Sequence, residues 1–180
     1  QTNIVMIMTD DQDLLLDSMQ YMPQVDALLA RQGTTFSNFF ASLPLCCPAR
    51  AMVLSGQYSH NNGIMTNLWP TGGFAKAYTT GFEQDTIATA LQEAGYRTAL
   101  LGKYLNGYPF RSDQTYIPPG WDYWWAPITD SAYASYEYQV NHNGQIEEYG
   151  SRPDDYITDV MLAKGIAFIS ETTSLSPTQP

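Results

Sequence analysis

The first apolar run, NIVMIMT from Asn3 to Thr9, is short, rich in Ile and Val, and closed by the carboxylates of DDQD. A continuous run of this kind predicts a strand buried on both faces, as in a parallel sheet. MPQVDALLARQG, from Met22 to Gly33, spaces Val25, Leu28 and Leu29 as a helix does, with Gly33 as its stop. TTFSNFFAS then predicts a second strand. Pro48 opens a predicted helix, PARAMVLSG, closed by Gly56. DTIATALQEAG predicts another, with Asp85 as N-cap, Ile87, Ala90 and Leu91 on its apolar face, and Gly95 at its end. YRTALLGK follows as a strand.

Strand and helix therefore alternate as far as Lys103, which predicts an α/β fold: a mainly parallel, mixed sheet sandwiched by helices. Residues 104–135 are aromatic and rich in Pro and Gly, and are expected to form a long ordered excursion. YEYQVNHNGQIEEYG alternates on either side of Asn143-Gly144, the strongest short hairpin signal. RPDDYITDVMLAKGIAFIS predicts a last helix, with Pro153 near its first position and carboxylates in its first turn. ETTSLSPTQP, residues 171–180, is expected to be a polar linker. An alternating chain ordinarily continues into a further strand after such a helix, so the expectation is a fold truncated partway.

Composition narrows the function classes. At 180 residues the chain is long enough for one sizeable core. Hydrophobic content of 44% against 14% charged is globular, not disordered. A net charge of −10 argues against general nucleic-acid or anionic-membrane binding, because counterion release needs Lys and Arg. No apolar run approaches the roughly 20 residues of a membrane span. No signal peptide is visible before the first strand. The two cysteines, Cys46 and Cys47, are adjacent and cannot staple a chain of this size.

Three clusters carry candidate chemistry. Asp10 and Asp11 end the first predicted strand, where open α/β sheets bind ligands. Such a pair is either bridged by a hard cation, Ca²⁺ or Mg²⁺, or is a solvated acidic loop. Asp13, in the same run, is expected to be a loop or cap residue. Cys46 and Cys47 stand at the start of the Pro48 helix, where thiolates and anions are stabilised. Arg50 adds a cation one turn in, able to fork onto an oxyanion. The alternative is two small buried hydrophobes. Lys103 ends a strand after Gly102, which permits close backbone approach, and is either an anion binder or a surface lysine. His60 follows the Cys/Arg helix and either lines the same pocket or is structural. His142, beside the hairpin turn, is expected to be exposed.

Together these clusters resemble the type I sulfatases of the alkaline phosphatase superfamily. The pattern C-x-P-x-R is present as Cys46-Cys47-Pro48-Ala49-Arg50, followed by AMVLSGQYSHNNG. The second family signature, G-Y-x-[ST]-x-x-x-G-K, is present from Gly95-Tyr96-Arg97-Thr98 through Gly102-Lys103, and the Asp10-Asp11 pair also matches. LCCPAR, GKYLNGY and YGSRPDDYITDV look most like the N-acetylglucosamine-6-sulfatase and heparan sulfatase branch. By this resemblance, residues 1–180 form the N-terminal part of a sulfatase catalytic domain.

The resemblance implies a specific chemistry. Cys46 would be oxidised to Cα-formylglycine by a formylglycine-generating enzyme that reads Cys-x-Pro-x-Arg, and Cys47 would fill the free slot. The hydrated aldehyde would attack the sulfur of a sulfate ester on a sugar or glycan and later expel sulfate. Asp10, Asp11 and the modified residue 46 would hold a divalent cation, Ca²⁺ by family custom and Mg²⁺ by the donors alone. Arg50 would hold the formylglycine oxygens and Lys103 would stabilise charge on the sulfuryl group. Many family members carry a His two residues past the Lys. Here that position is Leu105, so His60 is the candidate for contacting the diol. The family's later metal ligands lie downstream of this chain, so the chain alone is expected to be nearly inactive. Members of this branch are extracellular, periplasmic or lysosomal. Phosphonate monoester or phosphodiester hydrolysis, a non-catalytic sulfoglycan-binding role and a thiol enzyme are the alternatives.

Overall fold

The computed structural model describes residues 2–12 and 14–175. The chain divides into two compact units, Val5–Ser42 and a larger one formed by Gln1–Ile4 with Leu43–Pro180. In the larger unit, helix α2 (Cys46–Ser55) is followed by α3 (Ser59–Asn62), α4 (Gly73–Thr80) and α5 (Ile87–Glu93). Strands β1 (Ala99–Leu101), β2 (Tyr123–Pro127), β3 (Gln139–His142) and β4 (Gln145–Glu148) then form one sheet in sequential order. Helix α6 (Ile157–Leu175) closes the described chain. In the smaller unit, α1 (Pro23–Val25) runs into a π-helical turn (Asp26–Ala30).

The chain has the predicted α/β class and a mixed sheet, but where a mainly parallel sheet is predicted only one of the three strand pairings among the described residues is parallel, because the β3–β4 hairpin extends it antiparallel. β1 pairs parallel with β2 through Leu100↔Trp124, while β2–β3 and β3–β4 are antiparallel. Successive side chains of β2 point to opposite faces, so this strand feeds two cores. Trp124, Ala126 and the following Ile128 join Cys47, Ala51, Phe74, Ala77 and Tyr104 in one apolar cluster, with α2 and α4 on that face. Trp125 joins Tyr138 and Val140 on the other, against Ile157, Val160 and Met161 around α6. Burying such large side chains is worth about 1.5–3 kcal/mol each, so β2 anchors both layers.

Several sequence expectations are corrected. Residues 3–9 form no strand, and Ile4, Val5 and Ile7 are exposed. Residues 34–42 form none either, with Phe36, Phe39 and Phe40 exposed. A strand needs ladder partners, and the four-stranded sheet offers these runs none. β2 lies inside the stretch expected to be an excursion, where its flanking Pro and Gly hid it. The cap of α5 is Thr86, in a reciprocal box with Thr89, and its buried face carries Ala88 while Ile87 is exposed. α6 continues past Ser170 through Leu175, where a linker was expected; residues 176–180 of that stretch lie outside the described residues. The hairpin stands as predicted, with Asn143 and Gly144 both at positive φ. No described helix is long and apolar enough to cross a membrane.

Glu83 is buried in the aromatic core, at 2% exposure. Its carboxylate accepts hydrogen bonds from the hydroxyls of Tyr104 (2.8 Å) and Tyr116 (3.1 Å). Burial pushes its pKa up to about 7, against the lowering effect of those hydroxyls. The folded state therefore holds this proton more tightly than the unfolded state, whose value is near the ordinary 4.5. Stability is expected to fall as pH rises through that window and to level off above it. Glu83→Gln should flatten the fall and exceed the wild type in urea midpoint above neutral pH. An unchanged pH dependence in the variant would contradict this assignment.

Candidate functional site

Helix α2 begins at Cys46, with Leu45 as an extended N-cap. Pro48 was expected at the first helical position and stands third. Proline needs no partner for its missing N–H anywhere in the first turn, so the position fits as well. Both cysteines therefore lie in the first turn. The Cys47 N–H, one of the turn's orphan donors, donates to Asn67 Oδ1 at 2.8 Å. At the other end Gly56 adopts φ 66° and closes the helix as predicted.

The two thiols have different surroundings. Cys47 is fully buried in the core with Ala51 and Tyr104. Burial pushes its thiol up to about 11, partly offset by the backbone N–H groups of Asn106 and Gly73. It remains a protonated packing residue at neutral pH. Cys46 is free and half-buried.

Arg50 and Lys103 meet through the backbone. Arg50 Nη1 donates to the Lys103 carbonyl oxygen at 2.6 Å, across 53 positions of sequence. β1 delivers Lys103 to this point. Gly102 has φ 101° and its N–H donates to the Trp125 carbonyl at 2.8 Å, while a Cβ there would meet Met161 Sδ at 2.9 Å. The expected close backbone approach at Gly102 is thus against β2 and α6. The Lys103 ammonium lies 4.5 Å from the centroid of the Tyr133 ring. Asn106 Nδ2 donates to the Tyr133 hydroxyl at 2.6 Å and fixes that ring in turn.

The remaining candidates are placed as follows. His60 is exposed on α3 and stacks on Tyr58 at 5.7 Å between ring centroids. Asp10 and Asp11 belong to the unit Val5–Ser42 and are exposed, with Asp11 at φ 52°. Two neighbouring carboxylates form an all-oxygen donor set that suits a hard cation. Asp13 lies outside the described residues. His142 was expected to be exposed and is instead half-buried. Its Nδ1 is 2.7 Å from Glu147 Oε1, and Lys164 Nζ is 3.3 Å from Glu147 Oε2. Burial works to raise the Glu147 pKa, but hydrogen bonds from His142 and Tyr149, with the nearby charges of His142 and Lys164, bring it to about 2. That ion group joins the hairpin to α6 and is structural. Asn67, Asn106 and Tyr133 were missed in the sequence, because they sit in loops and a short 3₁₀ turn where no periodicity marks them.

A family model described as Sulfatase matches residues 2–178. A Sulf-1 homolog of Caenorhabditis elegans is 41% identical over 100% of this chain and 24% of its own length. The N-acetylglucosamine-6-sulfatase of Homo sapiens is 34% identical over 97% of this chain and 32% of its own length. A solved structure of a protein in complex with its substrate D-glucosamine-2-N,6-O-disulfate has a TM-score of 0.57 and 29% identity, covering 75% of this chain and 23% of that one. The chain thus spans about a quarter to a third of the length of these relatives.

The burial difference predicts a chemical asymmetry. In protein whose Cys46 is unmodified, brief treatment of the native fold with iodoacetamide should label Cys46 and spare Cys47, read by peptide mass spectrometry. Equal labelling of both would contradict the packing assigned to Cys47.

Proposed function

This chain belongs to the sulfatase family, and from that premise we propose that it carries the nucleophile and anion-binding half of a sulfuric ester hydrolase acting on a sulfated amino sugar. The observation that carries the reading is the bond from Arg50 to the Lys103 carbonyl, which joins the C-x-P-x-R helix to the G-Y-x-T-x-x-x-G-K strand. The relatives named for 6-sulfated glucosamine, and the solved neighbour's disulfated ligand, support the substrate class.

Formylglycine made from Cys46 would supply a hydrated aldehyde as oxygen nucleophile, and Asp10 and Asp11 would hold a divalent cation that supplies Lewis acidity toward sulfate oxygens. The chain's own residues do the rest. The first turn of α2 presents residue 46 at the positive end of the helix dipole, where an anionic ester is attracted. Lys103, held over Tyr133, places a second positive charge where negative charge develops as the sulfuryl group transfers. Arg50, anchored to the strand that carries Lys103, keeps the helix start and that ammonium in register. Cys47 packs and takes no proton. His60 is the proposed contact to the nucleophile, and its exposure leaves it accessible to substrate. A formylglycine-generating enzyme reading Cys-x-Pro-x-Arg is the maturation partner. An exported setting is the proposed location, supported by the Caenorhabditis elegans relative, whose name calls it a putative extracellular sulfatase.

The test is turnover of glucosamine 6-sulfate by a protein of full family length carrying this chain. Cys46→Ala should reduce turnover to background, while Cys47→Ala should retain most of it and lose stability. Lys103→Ala should lower kcat by roughly a hundredfold or more. If Cys46→Ala and Cys47→Ala behave alike, the nucleophile is wrongly assigned. If aryl phosphodiesters turn over faster than aryl sulfates, the reaction class is wrong.

A further inference from the structure

Arg111 is an unusual residue in a chain with eight Lys and Arg against eighteen Asp and Glu. Among the described residues no carboxylate pairs with it. Its guanidinium instead lies 4.3 Å from the centroid of the Trp69 ring and 5.7 Å from that of Phe110. All three side chains are exposed. Arg111 also holds φ at 77°, a left-handed conformation that Gly or Asn adopts easily and Arg does not. A strained backbone that displays an unpaired cation on an exposed aromatic face is a reason to look for a ligand.

Both loops that meet here are rooted in the site already described. Asn67, which holds the Cys47 N–H, precedes Trp69 by two residues, so their Cα atoms lie within about 7 Å of each other. The loop is closed by bonds from Met65 N–H to the Thr71 carbonyl (2.8 Å) and from Gly73 N–H to the Thr66 carbonyl (2.9 Å). Arg111 stands on the segment that continues from Lys103 and Asn106. That segment turns through bonds from Phe110 N–H to the Gly107 carbonyl (2.7 Å) and from Ser112 N–H to the Pro109 carbonyl (2.9 Å). The platform is thus built from short, hydrogen-bonded loops and carries little ordering cost on binding.

We propose that Trp69, Phe110 and Arg111 form a second subsite that binds a further sulfated sugar unit, next to the unit whose ester is cut. A guanidinium that lies over an indole ring can present its planar N–H fork to the oxygens of a sulfate while the ring holds it from below. The flanking exposed rings offer flat apolar area for the C–H face of a pyranose. A stacked Arg also loses less side-chain freedom on binding than a free one. The ligand class rests on the sulfated-sugar reading above. The subsite makes the preferred ligand an oligosaccharide with more than one sulfate.

The experiment separates this inference from the assignment of the nucleophile. Calorimetric titration of the purified protein, in a Cys46→Ala background that binds without turnover, compares a heparin-derived tetrasaccharide with glucosamine 6-sulfate. The expected result is tighter binding of the tetrasaccharide, with that preference reduced roughly tenfold by Arg111→Asn and by Trp69→Ala. Asn accepts the left-handed backbone at this position, so the first variant keeps the loop. The proposal is overturned if both variants keep the wild-type preference. Equal binding of a desulfated tetrasaccharide, or no preference in the wild type, overturns it too.

Discussion

One hydrogen bond ties helix α2 to the segment that follows β1: Arg50 Nη1 to the carbonyl oxygen of Lys103, at 2.6 Å. It is a charged donor on a partly buried acceptor, a class worth about 1.5–3 kcal/mol. Its larger effect is geometric. α2 carries Cys46 in its first turn, and Lys103 lies two residues past the end of β1. Neither element fixes the other through sequence proximity, since Arg50 and Lys103 are 53 positions apart. A guanidinium held by a main-chain carbonyl sets their separation in a way that a pair of mobile side chains would not.

The scaffold supports that bond from both sides. Below α2, Cys47 and Ala51 pack into the cluster built on Trp124 and Tyr104. Tyr104 follows Lys103 directly, and its hydroxyl is tied to buried Glu83. The backbone that presents Lys103 is therefore clamped by the residue beside it. On the other face Gly102, at φ 101°, admits Met161 of α6, whose sulfur a Cβ there would meet at 2.9 Å and push aside. The position of Lys103 is thus set by two layers meeting through β2. The same economy explains the paired cysteines: one fills the core and the other is left half-exposed at the helix start.

Much of this was legible in the sequence where the signal is local. Pro48 in its first turn and Gly56 at its end mark α2, Asn143-Gly144 mark the hairpin, and Gly102-Lys103 directly follows a true strand. The apolar runs at 3–9 and 34–42 misled because apolarity reports a wish for burial, not the presence of a ladder partner. β2 was hidden because Pro and Gly flank a run of aromatics that carries no alternation of polar and apolar positions. The long-range contacts of the candidate site and its neighbouring loops, Asn67 on Cys47, Tyr133 under Lys103 and Arg111 on Trp69, join residues from 20 to 42 positions apart with no shared periodicity. Such pairs become visible only once the fold brings them together.

The proposed nucleophile is made at position 46 and not at position 47. The most direct measurement is peptide mass spectrometry across Ser42 to Gly56 after co-expression with a formylglycine-generating enzyme. The account predicts formylglycine at residue 46 and an intact thiol at residue 47. An unmodified thiol at residue 46 under those conditions, or conversion at residue 47, would contradict it.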